Sequence, residues 1–401
     1  MAWFNLLGNK GKIVAQDGDG SLRVTVNNQS ERGRVTTANT KRPSSLLELE
    51  IIKDANFIVW SAGSDDYLYG INAGNKRPVR TNDGFETVEY GYDFYSEGLG
   101  EIEFVTKTPT GFVVATKVTE NQTGAIYHSE DFESGFEKVL DLTNGYPSGN
   151  FIPRPLHNVD GGILMVGEYS TLKDINKLPR AFISRDGGLN WSQIAQVEVV
   201  DPTINFHFHG MCYDPWQARI YLSNGDYGNR KLQYSDDFGD TWHKIDSDTQ
   251  PTLLEPMKNR IVTAPDANDT VSLNTIEKQI DNDYTVTPYM KKKINIAPQA
   301  SYMNFGKGPV GGIVGSDEMY ITFEESGGGA EKVSKTYVVA TGDGGESFHL
   351  VSTLDPIEGT GLTNGLITDP NTGYMYGSYV GQPFGDGSWQ HLVKAKPLTW
   401  E

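Results

Sequence analysis

SRDGGLNW at 184–191, SDDFGDTW at 235–242 and TGDGGESF at 341–348 repeat one pattern: a hydroxyl residue, an aspartate two positions on and an aromatic five beyond that, with glycine between. SEDFESGF at 129–136 is a worn copy, and TNDGFETV at 81–88 a weaker fifth. The pattern is that of a tight β-turn. An Asp or Ser side chain folds back onto the turn's backbone amides, Gly supplies positive φ, and the aromatic returns into the sheet. One such octamer is ordinary in an all-β chain, but three good copies at a regular interval specify a repeat.

The interval sets the architecture. Asp83, Asp131, Asp186, Asp237 and Asp343 are separated by 48, 55, 51 and 106 residues, and the last is twice 53. A period near ~40–50 residues with several short strands per unit predicts propeller blades. One copy is missing near position 290, where NRIVTAPD and DTVSLNTIEK read as strands and DYTVTPYMKKK stands in place of the turn. HGMCYDPWQARIYLSNGD (209–226) and NGLITDPNTGYMYGSYV (364–380) share an apolar strand, an Asp-Pro turn and an aromatic strand, as two first hairpins would. The template places full blades near 55–92, 100–142, 154–200, 207–246, 257–296 and 301–354. The stretch 362–400 is one strand short, and the apolar run Leu46–Lys53 is the natural donor to close the ring and hide its edge. Seven blades are expected over 46–401, with six as the alternative.

The octamers resemble the Asp box of the sialidase-like β-propellers. Ser184, Asp186, Gly188 and Trp191 stand at its informative positions, as do Ser235, Asp237, Gly239 and Trp242, and Thr341, Asp343, Gly345 and Phe348. The resemblance implies that the boxes lie between the third and fourth strands, on the rim of one face, with their carboxylates used as scaffold. It places the ligand face opposite, on the loops between second and third strands and on the connections between blades.

Composition agrees. The 401 residues include 45 Gly, 20 Tyr, 17 Phe and 7 Trp, with no amphipathic helical stretch beyond a few turns. A formal charge of −18 repels phosphate backbones and argues against nucleic-acid partners. The single Cys212 lies in a predicted strand and reads as a buried thiol. No run approaches a membrane span, and MAWFNLLGNKGK lacks a secretory apolar core, so synthesis in the cytosol is expected.

Residues 1–45 read as an attachment arm: an apolar Trp3, Phe4, Leu6, Leu7 cluster, a hairpin GKIVAQDGDGSLRVTV, then polar sequence. Its expected partners are other proteins of an assembly or a second copy of the chain. In organisation the protein resembles a bacteriophage tail or baseplate adhesin, which implies association with the virion.

On the predicted ligand face the candidates for binding are Tyr95, Arg154, His207, His209, Asp226, Tyr227, Arg230 and Trp389. Aromatics mixed with carboxylates and arginines suit sugars, because rings stack on a pyranose and planar groups bond its hydroxyls. His207 and His209 in NFHFHG alternate with Phe206 and Phe208, which suits a polar pair lining a central channel; no metal or cofactor is expected. If the chain hydrolyses glycans, Glu168, Asp201 and Asp226 are the carboxylates available for acid and base roles. A sialidase would need an arginine cluster, from Arg77, Arg154, Arg180 and Arg230, but lacks the family's Arg-Ile-Pro string. The expectation is a non-enzymatic, carbohydrate- or cell-surface-binding propeller, with a glycoside hydrolase as the alternative and a purely structural propeller third.

Overall fold

Short apolar runs punctuated by Gly and Asp fold here into antiparallel strands and tight turns. The computed structural model describes the chain apart from residues 1–2, 7–8, 17–21, 27–28, 34–40, 53–54, 64, 117–123, 143–161, 169–174, 205–206, 226, 248–250, 266–270, 281–285, 298–302, 306–316, 327–332, 356–360, 363–365 and 381–389. It divides into two compact units, Met1–Lys41 and Arg42–Glu401.

The first unit is a four-stranded antiparallel meander of Trp3–Leu6, Asn9–Gln16, Leu22–Val26 and Gln29–Gly33. Its second and third strands are the hairpin expected from the sequence. The fourth comes from the polar stretch beyond, whose composition gave no strand signal.

The second unit is a seven-bladed β-propeller. Blades 1, 2, 4, 5 and 6 are four-stranded antiparallel sheets in chain order, over 57–90, 102–142, 208–245, 251–297 and 303–354. Blade 3 shows Leu164–Gly167, Arg180–Ser184 and Ser192–Gln196, preceded by residues outside those described. In blade 7 the short strands Gly361–Leu362 and Ile367–Thr368 pair with Met375–Val380, which pairs with Gln390–Ala395. The outer strand is Leu49–Ile52 from the start of the unit, with Ile52 opposite Leu392 and Leu49 opposite Ala395. The ring is thus closed by its N-terminal strand. Around that seam Arg42 and Glu401 exchange two backbone hydrogen bonds of 2.9 Å, and Pro43 bridges Trp400.

The core runs between blades. Trp60, Phe104, Phe112, Phe132 and Phe182 belong to one cluster spanning blades 1 to 3; Phe208, Met211 and Met165 join blades 3 and 4; Val59, Leu68, Tyr376 and Leu392 join blades 7 and 1. Stacking each sheet on the next gives a 360-residue unit enough burial without one central core.

Blade 5 departs from the expectation. Its first strand is Pro251–Met257, missed because two prolines argue against a ladder position, and DYTVTPYMKKK is not a turn. Most of it forms the fourth strand, Val286–Ala297, paired with Val271–Ile280 as a long hairpin in place of a box.

Four of the octamers connect a third strand to a fourth, and the one at 184–191 connects the last two described strands of blade 3. In the turn at 184–191, Ser184 Oγ donates to Asp186 Oδ1 (2.8 Å) and accepts from the Gly188 amide (2.9 Å), while the Asn190 amide donates to Asp186 Oδ1 (2.9 Å). The turns starting at Ser235 and Thr341 repeat this with Asp237 and Asp343, and so does the weaker-looking copy starting at Thr81 with Asp83. SEDFESGF does not: Ser129 donates to the Ser134 carbonyl, and Asp131 accepts from the Glu133 amide. Two consecutive residues take positive φ in each locked turn, Gly187 and Gly188 at 74° and 99°, and Phe238 and Gly239 at 57° and 99°. Phe238 pays the left-handed cost of a non-Gly residue and regains contact by stacking on Tyr213 at 5.8 Å, with the Arg185 guanidinium 4.3 Å from its ring.

These turns also tie neighbours together. The Gly187 carbonyl of blade 3 accepts from Thr108 and Thr110 of blade 2 (2.9 and 3.0 Å), and the Gly345 carbonyl of blade 6 accepts from Arg260 Nη1 of blade 5 (2.8 Å). Trp242 Nε1 of blade 4 donates to the Ile194 carbonyl of blade 3 at 3.1 Å.

Candidate functional site

Strand alternation within a blade puts every third-to-fourth turn on one face of the ring, and every second-to-third turn and blade-to-blade connection on the other. The box carboxylates are consumed inside their turns. Asp237 is held down to about 2, chiefly by the Thr241 hydroxyl and amide. Asp83 and Asp186 also lie below the usual carboxylate range: burial pushes each up, and the hydrogen bonds from Thr87 and Asn190 outweigh it. A binding site for an external ligand is therefore sought on the connection face.

Between blades 3 and 4 that face is built on buried polar groups. Glu168 ends the second strand of blade 3 and is fully buried. Gly167 pairs with Ala181, so Glu168 meets Arg180 across the ladder. Its Oε1 lies 2.6 Å from Arg180 Nη2, and its Oε2 accepts from Nε (2.9 Å) and from the Arg180 amide (2.8 Å). The Glu168 hydrogen bonds raise the Arg180 pKa further above its ordinary value. A Cβ on Gly167 would sit 2.9 Å from Phe208 Cβ and 2.7 Å from Met211 Cε, which is why blade 4 can approach so closely here.

His207 and His209 begin blade 4, both 2% exposed, with ring centroids 4.5 Å apart and planes tilted by 37°. Phe208 between them packs with blade 3. The histidines form a tilted pair beside the ladder, and Phe206, the other member of the expected alternation, lies outside the described residues. The Gly225 amide donates to the His207 carbonyl at 2.7 Å, joining this strand to the turn that carries Tyr227 and Arg230. Among the described residues no group of three or more His, Cys, Asp or Glu is placed to hold a metal ion.

Asp201 lies on the connection leading into blade 4. Its Oδ1 accepts from the Thr203 amide (2.9 Å) and hydroxyl (2.7 Å), capping a turn. Asn229, which sequence reading did not single out, is 2% exposed and organises this corner: its Oδ1 accepts from the Val200 and Asp201 amides (2.9 and 2.7 Å) and its Nδ2 donates to the Asp201 carbonyl (2.7 Å). Tyr227 opens a short 3-10 turn, Tyr227–Asn229, and Arg230 follows it, exposed. Arg154, Asp226 and Trp389 lie outside the described residues.

Tyr95 stands elsewhere, on the connection from blade 1 to blade 2, and is 63% exposed. Asp93 holds its loop by accepting from the Ser96 amide (3.0 Å) and hydroxyl (2.9 Å), which lower its pKa. Arg77, in the second-to-third turn of blade 1, donates from Nε to the Gly91 carbonyl (3.1 Å) and sits 5.5 Å from the ring of Tyr90, itself 37% exposed. Beneath, Tyr92, Phe94 and Phe136 stack edge and face at 4.9–5.7 Å. The connection face thus offers two separate places: a polar corner at blades 3–4, where Glu168, His207 and His209 are buried, Asp201 is half-buried and Arg230 is exposed, and an exposed tyrosine ledge at blades 1–2. Arg77 and Arg180 belong to different places and each is engaged locally, so they do not form the clamp a sialidase requires.

A cleft of about 570 Å³ opens on the opposite face, where the two ends of the second unit meet beside blade 7, between Leu46, Glu48, Tyr374, Lys394 and Lys396.

No family model matches the chain, and no curated protein does. Solved structures match the fold. A GH74 enzyme of Niastella koreensis superposes with a TM-score of 0.53 at 16% identity, covering 81% of this chain and 53% of the enzyme, so the chain spans about half its length. YCF48 from Cyanidioschyzon merolae gives 0.52 at 13% identity, covering 87% and 99%. The Cps50 (Swd1) propeller domain of Myceliophteria thermophila gives 0.50 at 11% identity, covering 86% and 98%. At these identities the likeness defines a β-propeller and leaves its chemistry to the residues. No helix among the described residues is long and apolar enough to cross a membrane.

Proposed function

We propose that this chain is a non-enzymatic propeller of the Asp-box kind that binds carbohydrate on its connection face, through the tyrosine ledge at blades 1–2. The observation that carries the reading is the state of the carboxylates. Hydrolysis needs two of them, ~5–9.5 Å apart across a cleft, one able to trade a proton with the substrate. Glu168 is buried and clamped by Arg180, and Asp201 is spent on a turn. Tyr95, by contrast, is held out to solvent on the connection from blade 1 to blade 2, and Tyr90 at the end of blade 1 lies beside Arg77, groups of the kind that stack on a sugar ring and bond its hydroxyls.

The N-terminal unit attaches the propeller to a larger assembly, and a phage tail or baseplate is the setting this organisation suits. Tail or baseplate genes on either side of this one would support that setting.

A glycan array tests the ligand. Binding that is lost in Tyr95→Ala and retained in Glu168→Gln supports the reading; no binding to any glycan defeats it. A glycoside hydrolase is the second reading, because the fold is shared with a GH74 enzyme, an argument from fold alone. Reducing ends released from the best-bound glycan by the unaltered protein, and abolished by Glu168→Gln or Asp201→Asn, would favour it.

A further inference from the structure

In blade 7 the third and fourth strands come from opposite ends of the unit, so no covalent turn leads from Ala395 to Leu49, which pair across the seam. In the blades that carry an octamer that turn fills the corner, and in blade 5 the long hairpin does. In blade 7 the corner stays open as the cleft of about 570 Å³, walled by residues 45–50 on one side and 394–399 on the other. Its size is that of a small-molecule pocket.

The walls are anchored. Leu47 and Leu398 are buried in one core cluster, and Tyr374, which also lines the cleft, packs against another. The charges on those walls are left without partners. Lys394 Nζ lies 4.3 Å and Lys396 Nζ 5.5 Å from the centre of the Tyr374 ring, so two ammonium groups converge on one aromatic. Glu50 stands opposite Lys394 across the ladder and Glu48 lines the same wall, yet among the described residues no ion pair joins either carboxylate to either lysine. Acidic partners are plentiful: residues 1–41 carry six Lys and Arg against three Asp and Glu, while the remaining 360 carry 28 against 49. Two neighbouring cations, one of them half-buried, that take a ring face in place of a carboxylate mark a place where an outside anion is favoured.

We infer that this corner binds an acidic sugar, a hydroxyl-rich monoanion of the uronic type, with its carboxylate between Lys394 and Lys396 and its hydroxyls donating to Glu48 and Glu50. A carboxylate there accepts charge-assisted hydrogen bonds from both ammonium groups. The two glutamates decide against a multiply charged ligand: they repel a second negative charge, whereas sugar hydroxyls donate to them. Leu46, which lines the cleft with 74% exposure, adds apolar surface for the ring of the sugar. Because both walls hold it, the ligand ties the strand that opens the unit to the one that ends it, and occupancy favours the closed ring. The site lies on the face away from the tyrosine ledge and does not depend on it.

The test uses the full-length chain at low ionic strength, with glucuronate as the probe and glucose and inorganic phosphate beside it. Glucuronate should raise the melting temperature of the ring as its concentration rises, as a ligand of the folded state does, and glucose should not. In titration calorimetry its affinity should fall about tenfold in Lys394→Gln and in Lys396→Gln, the loss of one charge-assisted hydrogen bond each. Lys394→Arg and Lys396→Arg, which keep the charge, should bind, and so should Lys231→Gln, whose lysine pairs with Glu198 in another part of the ring. Circular dichroism distinguishes a lost site from a lost fold. No shift with glucuronate, an equal shift with glucose, tighter binding of phosphate than of glucuronate, or an affinity that survives Lys394→Gln and Lys396→Gln together overturns the inference. Tyr95→Ala should leave glucuronate binding intact, so this site and the ledge can fail separately.

Discussion

Glu168 and Arg180 meet as neighbours across one rung of blade 3, and the same carboxylate that bonds the guanidinium twice also accepts the Arg180 backbone amide. The side chain that looks most like a catalytic acid by position is thereby a strut of the ladder. It holds the second-to-third turn of blade 3 against blade 4, where the Phe208 amide approaches the Glu168 carbonyl.

Replacing Glu168 by Gln should therefore cost stability and spare binding. The loss is about 2 kcal/mol, within the range for hydrogen bonds to a charged group. It falls short of the ~3–5 kcal/mol for a fully buried pair because Arg180 keeps 22% exposure. A denaturant midpoint shifted down at unchanged slope, with glycan affinity intact, is the expected result. Unchanged stability would remove Glu168 from the scaffold and return it to the list of reactive groups.

At the other end of the connection face, Tyr95→Ala should weaken sugar binding about two- to tenfold, the equivalent of the ~0.5–1.5 kcal/mol an aromatic contact supplies. The melting temperature should hold, since the ring is 63% exposed and its loop is fixed by Asp93. Titration calorimetry with the best array ligand checks it. Affinity unchanged in Tyr95→Ala but lost in Arg230→Ala would move the site to the corner of blades 3 and 4.

The ring was legible because its signal is local. A box needs a hydroxyl, an Asp two residues on and a polar residue at the seventh position, and Thr87, Asn190, Thr241 and Ser347 supply the last. In SEDFESGF that position is Gly135, which has no side chain to bond Asp131. Weighting the terminal aromatic ranked this copy above TNDGFETV, and the hydrogen bonds invert the order. The candidate site was less legible, since its contacts depend on register. Glu168 and Arg180 are twelve residues apart and meet only because Gly167 faces Ala181. Asn229 reaches back 28 residues to Asp201, on the connection leading into its own blade, and carries no sequence cue.

The same seventh-position rule predicts unequal costs. Asp186→Ala removes bonds from Ser184 and Asn190 and should cost about 1–2 kcal/mol, whereas Asp131→Ala loses only the Glu133 amide and should cost a few tenths. Equal effects in chemical denaturation would mean the locks are incidental.

Acid should release the locks. A carboxylate whose folded pKa is depressed adds stability that is complete above its unfolded value and is lost as pH falls through the folded one. For Asp237, held at about 2 by the Thr241 and Ser235 bonds, that window runs from near the ordinary ~3.9 down to about 2. Asp83 and Asp186 shift in the same direction. Melting temperature should fall over this range, and less steeply in Asp237→Asn. A slope unchanged by that substitution would assign acid sensitivity to other carboxylates.

The seam offers the sharpest test of closure. Trp400, one residue from the C-terminal end of the chain, lies over Gly342 at the head of the blade 6 box, so close that a Cβ there would sit 2.1 Å from its Cδ2. Gly342 is not in the left-handed region, so alanine suits its backbone and any penalty arises from space alone. Gly342→Ala should cost ~1–3 kcal/mol, as overpacking does. Trp400→Ala should cost a comparable amount by loosening the pairing of residues 42–44 with 399–401. In the double variant the alanine methyl has room, and the two costs should fall well short of adding. Full additivity in a thermal double-mutant cycle would show that Trp400 does not latch the ring at that turn.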